Sequence, residues 1–169
     1  MKIIAAYPCL GMTTILNLNK DRCIERRFDV ARSTAGMNQL DTDRFFDCCA
    51  EILYLQYQKN PYEILFIDDD DRLIKRLGKD RDMKKDIILV YPNVSDKNVM
   101  EEYLIRATEF YGAAWVRSNL EPKIFMLGDR ISYFRQEGFD VRLTNLVQKH
   151  IGDVFTLPRG FIEPYDDAE

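Results

Sequence analysis

Three uninterrupted apolar runs constrain this chain most: Ile3 to Ala6, the end of Tyr62 to Ile67, and Ile87 to Tyr91. A strand with one wet face alternates apolar and polar residues, whereas a strand covered on both faces does not. Between these runs lie segments with helical spacing. Thr42 to Lys59 carries Phe45, Cys49, Ile52, Leu53 and Gln56 near that spacing, with Pro61 just beyond its end. Asp68 to Asp71 opens a further helix to Leu77–Gly78, and Val99 to Tyr111 is another. The alternation predicts an α/β protein of three layers, a parallel sheet flanked by helices. Weaker elements complete it. Arg22 to Phe28 is a second strand full of charges, Asp29 to Asn38 a polar turn, and Gly112 to Gly138 mostly helical with a break near Glu121–Pro122. Phe139 to Leu143 is the last strand, Asn145 to Phe155 the last helix, and Pro158 to Glu169 a loose tail.

The 169 residues, 46% of them apolar, suffice for one substantial core, so one domain over residues 1–157 is expected. A net charge of −4 gives no polybasic signal for nucleic acid or an anionic membrane surface. Lys2 and the short apolar run after it are too brief for a signal peptide or a membrane span, which points to a cytoplasmic protein. The four cysteines, Cys9, Cys23, Cys48 and Cys49, lack C-x-x-C and zinc spacings. The vicinal pair Cys48–Cys49 reads as reduced, buried thiols.

The opening MKIIAAYPCLGMTT carries the chemistry. Ile3 to Ala6 is the strand, Tyr7 to Gly11 a turn-rich loop, and a helix runs from Thr13 to Asn19. A phosphate loop has the form G-x-x-x-x-G-K-[ST] between a strand and a helix. The aligned positions here are Ala6, Gly11, Met12 and Thr13, so the second glycine and the hydroxyl fit while the first glycine and the lysine do not. Backbone N–H groups of Pro8-Cys9-Leu10-Gly11-Met12-Thr13-Thr14, the proline excepted, can still converge on an anion at the positive end of the helix. The Thr13 hydroxyl can still coordinate magnesium. Met12 fills the lysine's space without its charge, and losing one such electrostatic partner costs about 10²–10³ in rate. A strand–turn–helix without a ligand is the alternative.

In this loop, in ILVYPN followed by EEYLIR at Glu101 to Arg106, and in FDVARST at Phe28 to Thr34, the chain resembles the small P-loop nucleotide kinase-like proteins, adenylate or nucleoside-monophosphate kinases, of bacteriophages and Gram-positive bacteria. The resemblance covers roughly residues 1–155. It implies a sheet in the order 2-3-1-4-5, an acceptor-side insert over residues 29–60 and lid-like helices over residues 106–138. It implies ATP with Mg²⁺ and transfer of the γ-phosphoryl group to a nucleoside monophosphate, or, in a degenerate member, a module that binds a nucleotide or a protein without turnover. The family's Y-x-x-R-x-x-x-R-G helix keeps its first arginine, Arg106, but has Phe110 at the second. Arg117, further along the lid, is a substitute candidate.

Acidic residues complete the pattern. Asp68 ends a central strand, where ligands of open α/β sheets bind, and is the candidate for metal or phosphate chemistry. Asp69 to Asp71 read as the cap and first turn of the next helix. Asp29 is the alternative acid, with Arg32 and Ser33 beside it as candidates for the acceptor phosphate. A capped surface turn is the plainer reading of those three. Trp115, Tyr103 and Tyr111 can stack a base or simply pack, and His150 reads as structural.

Overall fold

The computed structural model describes residues 1–59 and 61–145. Five strands form one sheet: β1 (Lys2–Ala6), β2 (Cys23–Arg26), β3 (Ile64–Ile67), β4 (Ile87–Pro92) and β5 (Asp140–Thr144). All pairs are parallel, and the order is β2-β3-β1-β4-β5. β1 is the central strand; Ile4 lies opposite Phe66 of β3 on one side and Ile88 of β4 on the other.

The apolar runs are continuous because both faces of the central strands are covered. Ile3, Ala5, Leu65, Ile67, Leu89 and Tyr91 join the larger core, and Ile4, Ala6, Ile64, Phe66, Ile88 and Val90 join the smaller one. Each buried Ile or Leu contributes roughly 1.5–3 kcal/mol of transfer free energy. The smaller core is closed by Met12 and Ile15 of helix α1 (Met12–Leu18). The larger takes Phe46 and Leu53 of α3 (Gln39–Lys59), Leu73 and Ile74 of α4 (Asp71–Leu77), Met83 of α5 (Arg81–Asp86) and Tyr103 of α6 (Lys97–Tyr111), the short α2 (Val30–Ser33) lying between β2 and α3.

Several elements differ from the sequence reading, each for a local reason. The polar turn after β2 contains α2, and α3 begins at Gln39 because Asn38 caps it: its side-chain oxygen accepts from the Asp41 N–H at 2.8 Å. The buried face of α3 is Thr42, Phe46, Cys49 and Leu53, so Phe46 is in the core and Ile52 is exposed. Of the vicinal pair, Cys48 is exposed too, and Cys49 alone is buried. An additional helix, α5, is nucleated by Asp80, whose carboxylate accepts from the Met83 N–H. The segment after α6 continues as α7 (Ala113–Trp115), a π-helical turn (Val116–Leu120), α8 (Glu121–Phe125) and α9 (Leu127–Gln136). The break expected near Glu121–Pro122 is absent: the helical backbone runs on through both residues, Pro122 being tolerated in the first turn of α8, and the interruption comes at Met126. The expected last helix beyond Asn145, His150 and the tail lie outside the described residues. No helix among the described residues is long and apolar enough to cross a membrane.

Candidate functional site

The β1–α1 loop leaves the central strand at its carboxyl end, flanked by the ends of β3 and β4. Its base is pinned: the Tyr7 N–H donates to the Val90 carbonyl at 2.9 Å, and the buried Tyr103 hydroxyl donates to the Pro8 carbonyl at 2.7 Å. Tyr103 is therefore a strut of the loop and offers no face to a base. Cys9 and Gly11 both have left-handed backbones, with φ of 66° and 84°. Such residues turn successive N–H groups toward one side, the geometry of an anion-binding nest. Gly11 is the N-cap of α1 and supplies no capping side chain; the first intrahelical bond closes from Ile15 N–H to the Gly11 carbonyl at 3.2 Å. The N–H groups of Met12 and Thr13, like those of any first helical turn, have no partner within the helix. Leu10 packs back onto the core, and the Thr13 side chain is exposed.

Met12 is 8% exposed and belongs to the smaller core, so the position of the expected lysine is a packing position. Its sulfur meets Arg27, whose Nη2 donates to Sδ at 3.3 Å. Arg27 also pairs with Glu25 through Nε at 3.0 Å.

Asp68 stands at the end of β3, half-buried, and its Oδ2 accepts the Phe28 N–H at 2.8 Å, which ties β3 to the turn after β2. Burial raises its pKa above the ordinary carboxylate value; the Phe28 N–H and the Arg27 charge oppose that, and the Asp70 and Asp29 charges add to it. Asp29 thus lies within electrostatic reach of Asp68, on an exposed left-handed residue that precedes α2. Arg32 is exposed on α2, while the Ser33 hydroxyl donates to the Phe28 carbonyl at 2.8 Å and so holds the turn. Arg106 sits on α6 with Glu102 at 3.9 Å, and its charge acts on Cys9. Burial raises the Cys9 thiol, opposed by Arg106 and by a hydrogen bond with Tyr111, which disfavours the reactive thiolate. Tyr111 stacks on Trp115 with centroids 4.1 Å apart, both partly exposed, beside the loop through that Cys9 bond. Arg117 is exposed on the π-helical turn, and Phe110 is 76% exposed.

Comparison with family models, with curated proteins and with solved structures finds no significant match to this chain.

Two features escaped the sequence reading. Arg27 lay inside a segment whose charges only weakened it as a strand; a charge at the carboxyl end of a parallel strand was the available signal, because all such ends share one edge of the sheet. The other is a buried ion pair: Arg130 of α9 donates to both carboxylate oxygens of Asp69, at 3.0 and 2.8 Å, and also pairs with Asp71. Nothing local announces a pairing across 61 residues.

As for metals, no group of three or more His, Cys, Asp or Glu side chains among the described residues is arranged to hold an ion. Thr13 and Asp68 offer one hydroxyl and one carboxylate. Magnesium keeps waters and takes further ligands from phosphates, so one hydroxyl and one carboxylate would be its protein share. Concavity does not single out the loop; a surface hollow lined by Ala50, Tyr54, Arg76 and Met83 lies at the opposite end of α4.

Proposed function

We propose that the β1–α1 loop holds the phosphates of a nucleotide, and that the chain is a nucleotide-binding domain of the nucleoside-monophosphate kinase type. The observation that carries this reading is the loop itself: a turn with two left-handed residues, opening onto an uncapped helix start at the carboxyl end of the central strand of a parallel sheet. In this reading Mg²⁺ arrives with ATP and shields the phosphate charge, with Thr13 and Asp68 as its protein contacts. Arg106 approaches the phosphates from α6. Asp29 and Arg32 face the acceptor monophosphate, with Ser33 holding their turn in shape. Phosphoryl transfer then rests on positioning and electrostatics.

A second reading, a domain that holds the nucleotide without turning it over, is favoured by Met12, which is committed to the core at the position where such loops carry their lysine. Both readings require binding. Calorimetric titration of the full chain with MgATP is expected to give a saturable isotherm, weakened tenfold or more in Gly11→Val. Space is no obstacle to that side chain, since nothing lies within 4 Å of an added Cβ; the left-handed φ of 84° is, because a β-branched residue avoids it. Equal affinity in the two proteins, or none in either, contradicts the proposal. Where ATP binds, transfer to the common nucleoside monophosphates separates the kinase from the module without turnover.

A further inference from the structure

We propose that Arg27 supplies, from the end of β2, the positive charge that the loop lacks at Met12. The inference rests on the reading of the loop as a phosphate site and adds to it a residue that the P-loop pattern does not contain.

Three observations converge on this side chain. Its Nη2 lies 3.3 Å from Met12 Sδ, so the guanidinium is at the tip of the residue that occupies the lysine position. Its charge acts on Asp68 at the end of β3 and on Tyr111 at the end of α6, which places it between two elements beside the loop. Its Nε lies 3.0 Å from a Glu25 carboxylate oxygen, so that ion pair engages Nε rather than the Nη donors. A thioether is a weak acceptor, and a phosphate oxygen displaces it readily because charge-assisted bonds to a guanidinium are stronger and often bidentate. The other basic candidate near β3, Arg130, is already engaged by Asp69 and Asp71. The plain alternative is a surface ion pair between Arg27 and Glu25, which contributes little to anything.

The arrangement also reverses a simple expectation for Met12. A lysine there places an ammonium against the Arg27 guanidinium, so Met12→Lys alone brings no gain in affinity, whereas in an Arg27→Ala background it restores the missing charge.

The test is calorimetric titration of the full chain with MgATP and, as a base-free probe, inorganic tripolyphosphate. Arg27→Ala is expected to weaken both ligands tenfold or more, about 1.4 kcal/mol, and to flatten the dependence of affinity on salt, with an unchanged thermal midpoint. Arg27→Lys is expected to retain most of the affinity, and Arg27→Ala with Met12→Lys to regain it. Because Met12 is buried, that double variant counts only if it folds; the Arg27→Lys and Arg27→Ala comparison decides without it. Wild-type affinity in Arg27→Ala overturns this inference and leaves the phosphate loop standing. A wild-type chain that binds neither probe overturns both.

Discussion

The aspartate run Asp68 to Asp71 shows at the residue scale how much one stretch of like side chains can hide. In sequence Asp68 ends a strand and Asp69 to Asp71 read as a cap and first turn; in the fold Asp69 leaves that set. Asp68 ties β3 to Phe28, Asp70 caps α4 by accepting from the Arg72 and Leu73 N–H groups, and Asp69 enters a buried pair with Arg130. The strand end at Asp68 and the cap were legible, because both depend on a few consecutive residues. The pair with Arg130 depends on where α9 packs. Side-chain exposures of 10% for Asp69 and 19% for Arg130 leave little solvent screening, so deleting Arg130 strands the Asp69 carboxylate, whereas deleting Asp69 leaves Arg130 its pair with Asp71. Arg130→Ala is expected to cost about 3–5 kcal/mol in urea unfolding. A loss below about 1 kcal/mol contradicts a buried pair and fits an exposed one. The neighbouring phenol of Tyr7 reports the same environment: burial, with the Asp69 charge next, raises it to about 12.

Among the elements, α3 is the clearest case of a helix whose existence is legible and whose phase is not. Two adjacent phenylalanines, Phe45 and Phe46, permit two neighbouring stripes, and spacing alone favours neither strongly. The core selects Phe46, which is fully buried with the Arg72 guanidinium 4.3 Å over its ring. Phe45 is half-buried and meets Phe46 edge-on at 5.4 Å. Phe46→Ala is expected to destabilise by about 3–5 kcal/mol, and Phe45→Ala by less than half as much, measured by denaturant midpoint. The reverse ranking contradicts the observed phase. The central strands were easier, because an uninterrupted apolar run has one reading at that length, whereas the charged edge strand β2 is shorter than its composition suggested.

For the whole molecule, continuous apolar strands separated by helices specify a parallel sheet, but not which strand lies beside which. That order depends on how each crossover packs, and it was expected here only through a family resemblance; the structure has it as β2-β3-β1-β4-β5. Its consequence is that the loop after β1, the Arg27–Phe28 segment after β2 and Asp68 after β3 all open on one edge of the sheet. The loop was legible from its glycine and its position between strand and helix, while its surroundings came from topology. This edge is where we propose that nucleotide phosphates bind. The test is a titration of the isotopically labelled full chain with MgATP, followed by backbone amide shifts. The largest saturable changes are expected on Cys9 to Thr13, with Arg27 and Tyr111 next. Shifts absent there, or concentrated instead around Tyr54, Arg76 and Met83 at the far end of α4, contradict the proposal.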